Sequence, residues 1–454
     1  MTTDNSLTRR EFVRKTVAAG LGTAVVASGL GARHRYSSPR EGPADELFLT
    51  DPIDTVRIGF VGIGGMGSVH VQNLLKIEGV ELKALCDIVP EKVERARKWV
   101  VDAGQPEPVA YSRGPRDFVR MCETEELDLV FNATPWKWHV PISVAAMKNG
   151  KHAATEVPAA VTVEECWELV ETAEHSRKHC VMMENCNYDR FELMTLHLVR
   201  KGLLGELVHG ECGYLHDLRS VKFDSQGEGL WRREHAKSRN GNLYPTHGLG
   251  PMAQCLDINR GDRFATIVSM SSNSRGLQEY VVKNFPEEAP ERKERYVLGD
   301  VNISLLRTAA GKTIMVSHDT HLPRPYSRIN MLQGTNGIVQ GYPFRVHIEG
   351  MSKPHRWDEA ESWYETYDHP LWKAMSGHGE GHGHGGMDFI EDYRLIHCLR
   401  NGLPMDMDVY DAAALSAVSG LSERSVAQGS SPLEFPDFTR GGWKNRPPLG
   451  IIEG

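Results

Sequence analysis

The sequence sets Gly62-Ile63-Gly64-Gly65-Met66-Gly67 directly after the apolar run 56–61, and an acidic residue, Asp87, twenty positions beyond the last of these glycines. That spacing suits a dinucleotide. Gly62 permits a tight turn, Gly64 lets the main chain approach a pyrophosphate, and Gly67 lets helix and strand pack closely. The helix that follows offers unpaired N–H groups and the positive end of its dipole to the phosphates. Asp87 can accept hydrogen bonds from the adenosine ribose, and its charge opposes a 2′-phosphate, which favours NAD over NADP. A glycine motif alone is a weak signal. A strand before it, a helical pattern after it and an acid at this distance supply the context that makes it specific.

The elements that must position these residues alternate in type. From Thr55 to Asn185 short apolar runs alternate with helical patterns, which predicts a doubly wound parallel sheet, an α/β Rossmann fold over 55–185. Thr162 with Glu165 reads as a capping box opening one of its helices. After Asn185 longer strands appear, and 186–454 is expected to form an α+β domain with a large open, mostly antiparallel sheet and C-terminal helices. One face of that sheet is expected to carry helices and the other to be free as a substrate wall. The glycine- and histidine-rich stretch 376–386 reads as a flexible loop, and 443–454 as a tail.

Composition sets limits. With 454 residues the chain has ample length for two domains. A net charge of −8 and no basic tract argue against nucleic acid as a partner. Eight cysteines are scattered without CxxC or zinc spacing, so they read as free thiols. His378, His382 and His384 lack a companion acidic or cysteine ligand at metal spacing, so no metal is expected. At the N-terminus, Thr8-Arg9-Arg10-Glu11-Phe12 precedes a mildly apolar run, Thr16 to Leu30. Residues 1–33 read as a twin-arginine signal and 34–54 as a linker, placing the folded protein in the periplasm or cell envelope. The apolar run is shorter than the roughly twenty residues a stable membrane span needs.

The overall plan resembles the glucose-fructose oxidoreductase/inositol dehydrogenase superfamily over residues 55 to about 430. The usual Glu-Lys-Pro of that group is here Glu156-Val157-Pro158, so its lysine is missing. The segment Gly241-Asn242-Leu243-Tyr244-Pro245-Thr246-His247-Gly248-Leu249-Gly250 has Thr246 and Gly250 where the group's Asp and His would stand, and His247 is new. These departures, with Trp136-Lys137-Trp138-His139, Glu184-Asn185, Arg324-Pro325-Tyr326 and Gly383-His384-Gly385-Gly386, resemble glycoside hydrolase family 109. The type activity of that family is α-N-acetylgalactosaminidase with a bound, recycled NAD.

The resemblance implies that NAD lies against Met66, Gly67, Asp87, Trp136, Lys137, Trp138, His139, Glu156, Val157 and Asn185. It places the sugar against Tyr214, Arg232, Tyr244, Pro245, Thr246, His247 and Tyr326. It implies hydrolysis of a terminal α-N-acetylgalactosamine with net retention, by oxidation at C3, elimination, addition of water and reduction. Such a route needs bases and an acid rather than two carboxylates, and NAD-dependent glycosidases are known exceptions to the carboxylate-pair rule. His247 is the principal base expected, assisted by Tyr244 or Tyr326. Asp217 and Asp319 could in principle form a conventional pair but are read as structural, and Glu156 as a contact of the nicotinamide ribose. The alternative is an exported sugar oxidoreductase with tightly held nucleotide. A non-catalytic sugar-binding protein on the same scaffold is a third reading. A broad sheet in the second domain could also pair subunits into a homo-oligomer.

Overall fold

Val56–Val61 (β1) is buried along nearly its whole length, as a strand covered on both faces must be. It lies inside a parallel sheet completed by Val80–Cys86 (β2), Val109–Tyr111 (β3), Leu129–Asn132 (β4), His152–Glu156 (β5) and Cys180–Met183 (β6). The order is β3-β2-β1-β4-β5-β6. It reverses between β1 and β4, and ligands of open α/β sheets collect in the crevice beyond the carboxyl ends of such strands. Gly62 follows β1 there with φ +88°, a conformation that favours glycine. A Cβ on it would lie 2.7 Å from the carbonyl oxygen of Ala133, the residue that follows β4. The expected capping box is present: the Thr162 hydroxyl accepts from the Glu165 amide, and the Glu165 carboxylate accepts from the Thr162 amide.

The computed structural model describes residues 48, 50–225, 229–379 and 384–453, all within one compact unit, 42–454. The twin-arginine stretch, residues 34–47 of the expected linker and His382 lie outside the described residues. The linker's last residues are anchored rather than loose. Phe48 is buried against His179 and Tyr410, and the Ile53 amide donates to the Leu399 carbonyl at 3.2 Å. The expected tail likewise forms short 3-10 turns at Gly442–Lys444 and Gly450–Glu453, with Leu449 and Ile451 buried between and within them.

The second sheet comprises Leu207–Leu215 (β7), Phe264–Ser271 (β8), Val301–Thr308 (β9), Thr313–Asp319 (β10), Met331–Gly334 (β11), Gly337–Gln340 (β12), Arg345–Ile348 (β13), Asp358–Glu359 (β14) and Leu433–Glu434 (β15). Its order is β14-β13-β12-β11-β7-β10-β9-β8-β15. Pairing is antiparallel except between β7 and β10, where Tyr214 stands beside His318. One expectation is corrected here. Tyr214 projects not from the open face but from the face covered by helix Thr246–Cys255, as Gly210 does two pleats earlier against Met252. The open face instead displays the exposed Met270, Ile303 and Leu305. A substrate wall needs enclosure by other elements, and only the helix-covered face provides it.

Two features lock the halves together. Helix Val409–Ala427, rich in alanine and serine, lies against helix Val163–Ser176 and β8. Its hydroxyls accept main-chain N–H groups from both halves: Ser416 from Ala159, Ser422 from Asn242 and Ser425 from Ser269. The second feature is His70, fully buried on helix Gly65–Leu74. Its Nε2 contacts Glu156 at 2.8 Å, and its Nδ1 contacts Asp392 of helix Met387–Asn401 at 2.8 Å. Burial alone would neutralise the imidazole, but the two carboxylates outweigh it and hold His70 protonated well above its ordinary range.

Replacing His70 with Gln leaves Glu156 and Asp392 facing each other without the cation. Removing one partner of a buried pair typically costs about 3–5 kcal/mol, and urea unfolding at pH 6 should show a loss of that order. Because the folded-state value is raised, this stability is fully present below the ordinary imidazole value near 6.5 and is lost as pH rises through the raised one. The gap between parent and variant should therefore narrow on the alkaline side.

Candidate active site

The phosphate cradle follows directly from the turn after β1. A Cβ on Gly67 would lie 1.9 Å from the Gly62 carbonyl oxygen, so this helix turn can approach the strand only as glycine. At Gly64 and Gly65 the opposite holds: a Cβ would meet no atom within 4 Å. Those two glycines line open space, as a main chain that must touch a ligand should. Asp87 is buried, and its oxygens accept the amides of Ile63 at 2.7 Å and Val89 at 2.9 Å. It therefore ties the glycine turn to the end of β2 and still has lone pairs for ribose hydroxyls. The residues present fit a dinucleotide.

Around the carboxyl ends of β4, β5 and β6 the expected cofactor residues converge, in differing roles. Glu156 closes β5, held by His70, and its other oxygen accepts the Val157 amide. His139 is wholly buried, with its ring nitrogens on the carbonyl oxygens of Thr134 and Pro158, both at 2.7 Å. Its side chain shapes the 133–139 loop, and Lys137 is exposed, turned over the Trp138 ring. Asn185 donates to Asp388 at 2.6 Å, and Asp388 also contacts Nδ1 of the exposed His384 at 2.8 Å. That carboxylate raises the His384 value above its ordinary one.

The residues expected to meet the sugar form a mostly aromatic enclosure beside these strand ends. Tyr244 lies 4.6 Å from Tyr214, 4.8 Å from His247 and 5.6 Å from Trp136, ring centre to ring centre. The Tyr214 hydroxyl pairs with His216 Nδ1 at 2.9 Å, and His216 sits 5.1 Å from the Tyr326 ring. Arg232 stacks over Trp231, Trp136 and Tyr244 at 4.6–5.3 Å. Burial drives the Tyr244 phenol well up, against the pull of Arg232, and drives Tyr326 up against the pull of Arg328. Arg328 Nη1 donates to the Tyr326 oxygen at 3.3 Å, and the same guanidinium is clamped by Glu192 and Asp189. Thr246 is buried with its hydroxyl unpartnered among the described residues, and Pro245 precedes its helix.

His247 stands at the centre of this wall. Its Nδ1 meets the Glu184 carboxylate at 2.7 Å, which leaves Nε2 as the other ring nitrogen able to work. The rival carboxylates are occupied elsewhere. Asp217 is gripped by Arg219, and Asp319 accepts the His321 and Leu322 amides and Arg324. Among the described residues, Glu184, Cys186 and His247 bring potential ligand atoms within 4.8 Å of one another. Burial pushes the Cys186 thiol well up, and its Sγ donates to Asn185 Oδ1 at 3.4 Å. Sequence reasoning missed Trp231, His235, whose ring centre lies 5.0 Å from that of Trp136, Arg328 and the part played by Glu184. The i, i+4 spacing of Trp231 and His235 around Arg232 was the available signal for the first two.

Comparison with known proteins shows what the chain is similar to. Residues 188–445 match the family model for the glycosyl hydrolase 109 C-terminal domain, and 56–185 match the oxidoreductase family, NAD-binding Rossmann fold. A glycosyl hydrolase family 109 protein of Shewanella putrefaciens is 46% identical over 456 residues, covering 99% of both chains. An alpha-N-acetylgalactosaminidase of Shewanella oneidensis is 45% identical over 456 residues, again covering 99% of each. Among solved structures, an inositol dehydrogenase homolog of Azotobacter vinelandii complexed with NAD+ superposes with TM-score 0.63 at 19% identity, over 85% of this chain and 99% of that one. A levoglucosan dehydrogenase complexed with NADH and L-sorbose gives 0.62 at 19% identity, over 85% and 100%. These last two show the fold.

The open space at Gly64 yields a direct check on the cradle. Gly64→Ala should fold with an unfolding midpoint close to the parent's, because a Cβ there meets no atom within 4 Å. It should bind NAD at least about tenfold more weakly, a difference of about 1.4 kcal/mol, when titrated by calorimetry on cofactor-stripped protein.

Proposed function

The chain belongs to glycosyl hydrolase family 109, and on that premise we propose that it releases terminal α-linked N-acetylgalactosamine with net retention while NAD stays bound. The observation that carries this reading is the position of His247. An imidazole backed by a buried carboxylate, with phenols on either side, stands in the same enclosure as the cofactor-side residues Trp136 and Glu156. Bound NAD supplies reversible oxidation of a sugar carbinol, which acidifies the neighbouring C–H and lets the anomeric bond break by elimination.

The chain's own groups then have to move protons. His247 Nε2 takes a proton from the sugar, and its Nδ1 is committed to Glu184. Tyr326 is suited to assist, since its oxygen accepts from Arg328 and its own proton remains free to reach an outgoing oxygen. Tyr244 borders both His247 and Trp136 and can orient the ring between them. Arg232, held flat among aromatic rings, is suited to an acetamido or hydroxyl oxygen. The occupied state of Asp217 and Asp319 supports a route that does not rest on paired free carboxylates. The twin-arginine stretch supports export of the folded, cofactor-loaded protein to the periplasm or envelope, and eight buried thiols support a fold formed without disulfides.

The test is incubation of the purified protein with an aryl α-N-acetylgalactosaminide and no added NAD. Phenol release without accumulation of NADH is expected. Stoichiometric oxidation of free sugar would point to an oxidoreductase instead. His247→Ala should lower kcat by about 10²–10⁴-fold, the usual range for a general acid–base group, while the protein retains its NAD.

A further inference from the structure

We infer that Glu184 is a positioning residue that fixes the tautomer and orientation of His247, and that Gly250 is the residue that makes room for it. The inference rests on the reading of His247 as the proton-transfer group and adds how that group is prepared.

Glu184 follows β6 directly, and its side chain has no exposure to solvent. One oxygen, Oε1, accepts the Cys186 amide at 3.2 Å and faces His247 Nδ1 at 2.7 Å. The other, Oε2, is buried with no hydrogen-bond partner among the described residues. A carboxylate this enclosed needs strong donors for the oxygen it does commit. The arrangement therefore selects the tautomer with hydrogen on Nδ1 and leaves the Nε2 lone pair facing the enclosure. It also supplies negative charge beside the imidazolium formed when Nε2 takes up a proton, the role a buried carboxylate plays behind a catalytic histidine. The rings of Tyr214, at 5.4 Å, and Tyr244, at 4.8 Å, limit rotation of the imidazole.

Gly250 lies one helical turn after His247, on the same side of helix Thr246–Cys255. A Cβ placed there would sit 2.8 Å from Glu184 Cγ and 2.8 Å from Asn187 Oδ1. Both neighbours are buried, so neither can swing into solvent. The missing side chain at position 250 is thus what allows Glu184 to reach the histidine.

Two variants separate this role from simple filling of space. In Glu184→Gln the amide keeps shape and can still accept the Cys186 N–H, but its two ends support either tautomer of His247. Nitrogen-15 spectra of histidine-labelled, NAD-loaded protein at neutral pH should show His247 protonated on Nδ1 in the parent and mixed in Glu184→Gln. With an aryl α-N-acetylgalactosaminide, kcat should fall by about 10²-fold, the lower end of what an acid–base group contributes, with KM little changed. Gly250→Ala should produce the same tautomer mixing, and combining it with Glu184→Gln should add little further loss. An unchanged Nδ1–H signal in Glu184→Gln, or full additivity of the two losses, overturns the inference. The tautomer is read without turnover, so failure of the glycosidase reading would register separately, as a parent enzyme that releases no phenol.

Discussion

A buried imidazole joins parts of the chain that are hundreds of residues apart. His70 belongs to the helix that follows the glycine turn, Glu156 ends β5, and Asp392 belongs to a helix near the C-terminus. If any of the three shifts, an uncompensated charge is left buried. The crevice of the first sheet and the helices under the second are thereby set in one relation, and the enclosure between them inherits its shape. The serine hydroxyls of helix Val409–Ala427 repeat this arrangement in neutral form, accepting main-chain hydrogens from both halves.

Within that frame the chemistry depends on exclusion of solvent. Aromatic rings surround Arg232, Tyr214 and Tyr244, and charged groups in such surroundings interact far more strongly than they would in water. That is why paired groups recur: Glu184 with His247, Asp388 with His384, Arg328 with Glu192 and Asp189. In each pair a buried carboxylate or guanidinium holds its partner in place. The positions of these groups are set by the fold itself.

Much of this was readable from the residues themselves, because local rules governed those parts. The glycine turn, Asp87, the alternation of strands and helices and the Thr162–Glu165 cap all depend on neighbours within one unit of structure. The helix Thr246–Cys255 was not readable in that way. Gly248, Gly250 and Pro251 all argue against a helix, yet a Cβ on Gly248 would lie 2.3 Å from the Gly213 amide nitrogen. Contact with β7 demands glycine at 248, as contact with Glu184 and Asn187 does at 250, and tertiary contact overrides propensity. Arg328 and Glu184 escaped for a related reason. Each acts through a partner distant in sequence, Glu192 for Arg328 and His247 for Glu184, and spacing along the chain carries no trace of that.

The stacking of Arg232 on Trp136 and Trp231 has an optical consequence. Two of the nine indoles in the chain share a cation, and one of them, Trp136, stacks on Tyr244 in the aromatic enclosure. Indole emission shifts with the polarity and charge around the ring, so any sugar that draws the guanidinium toward its own oxygens alters the light both rings emit. The molecule therefore carries a built-in fluorescent gauge of its own occupancy, readable without a dye or a chromogenic ligand.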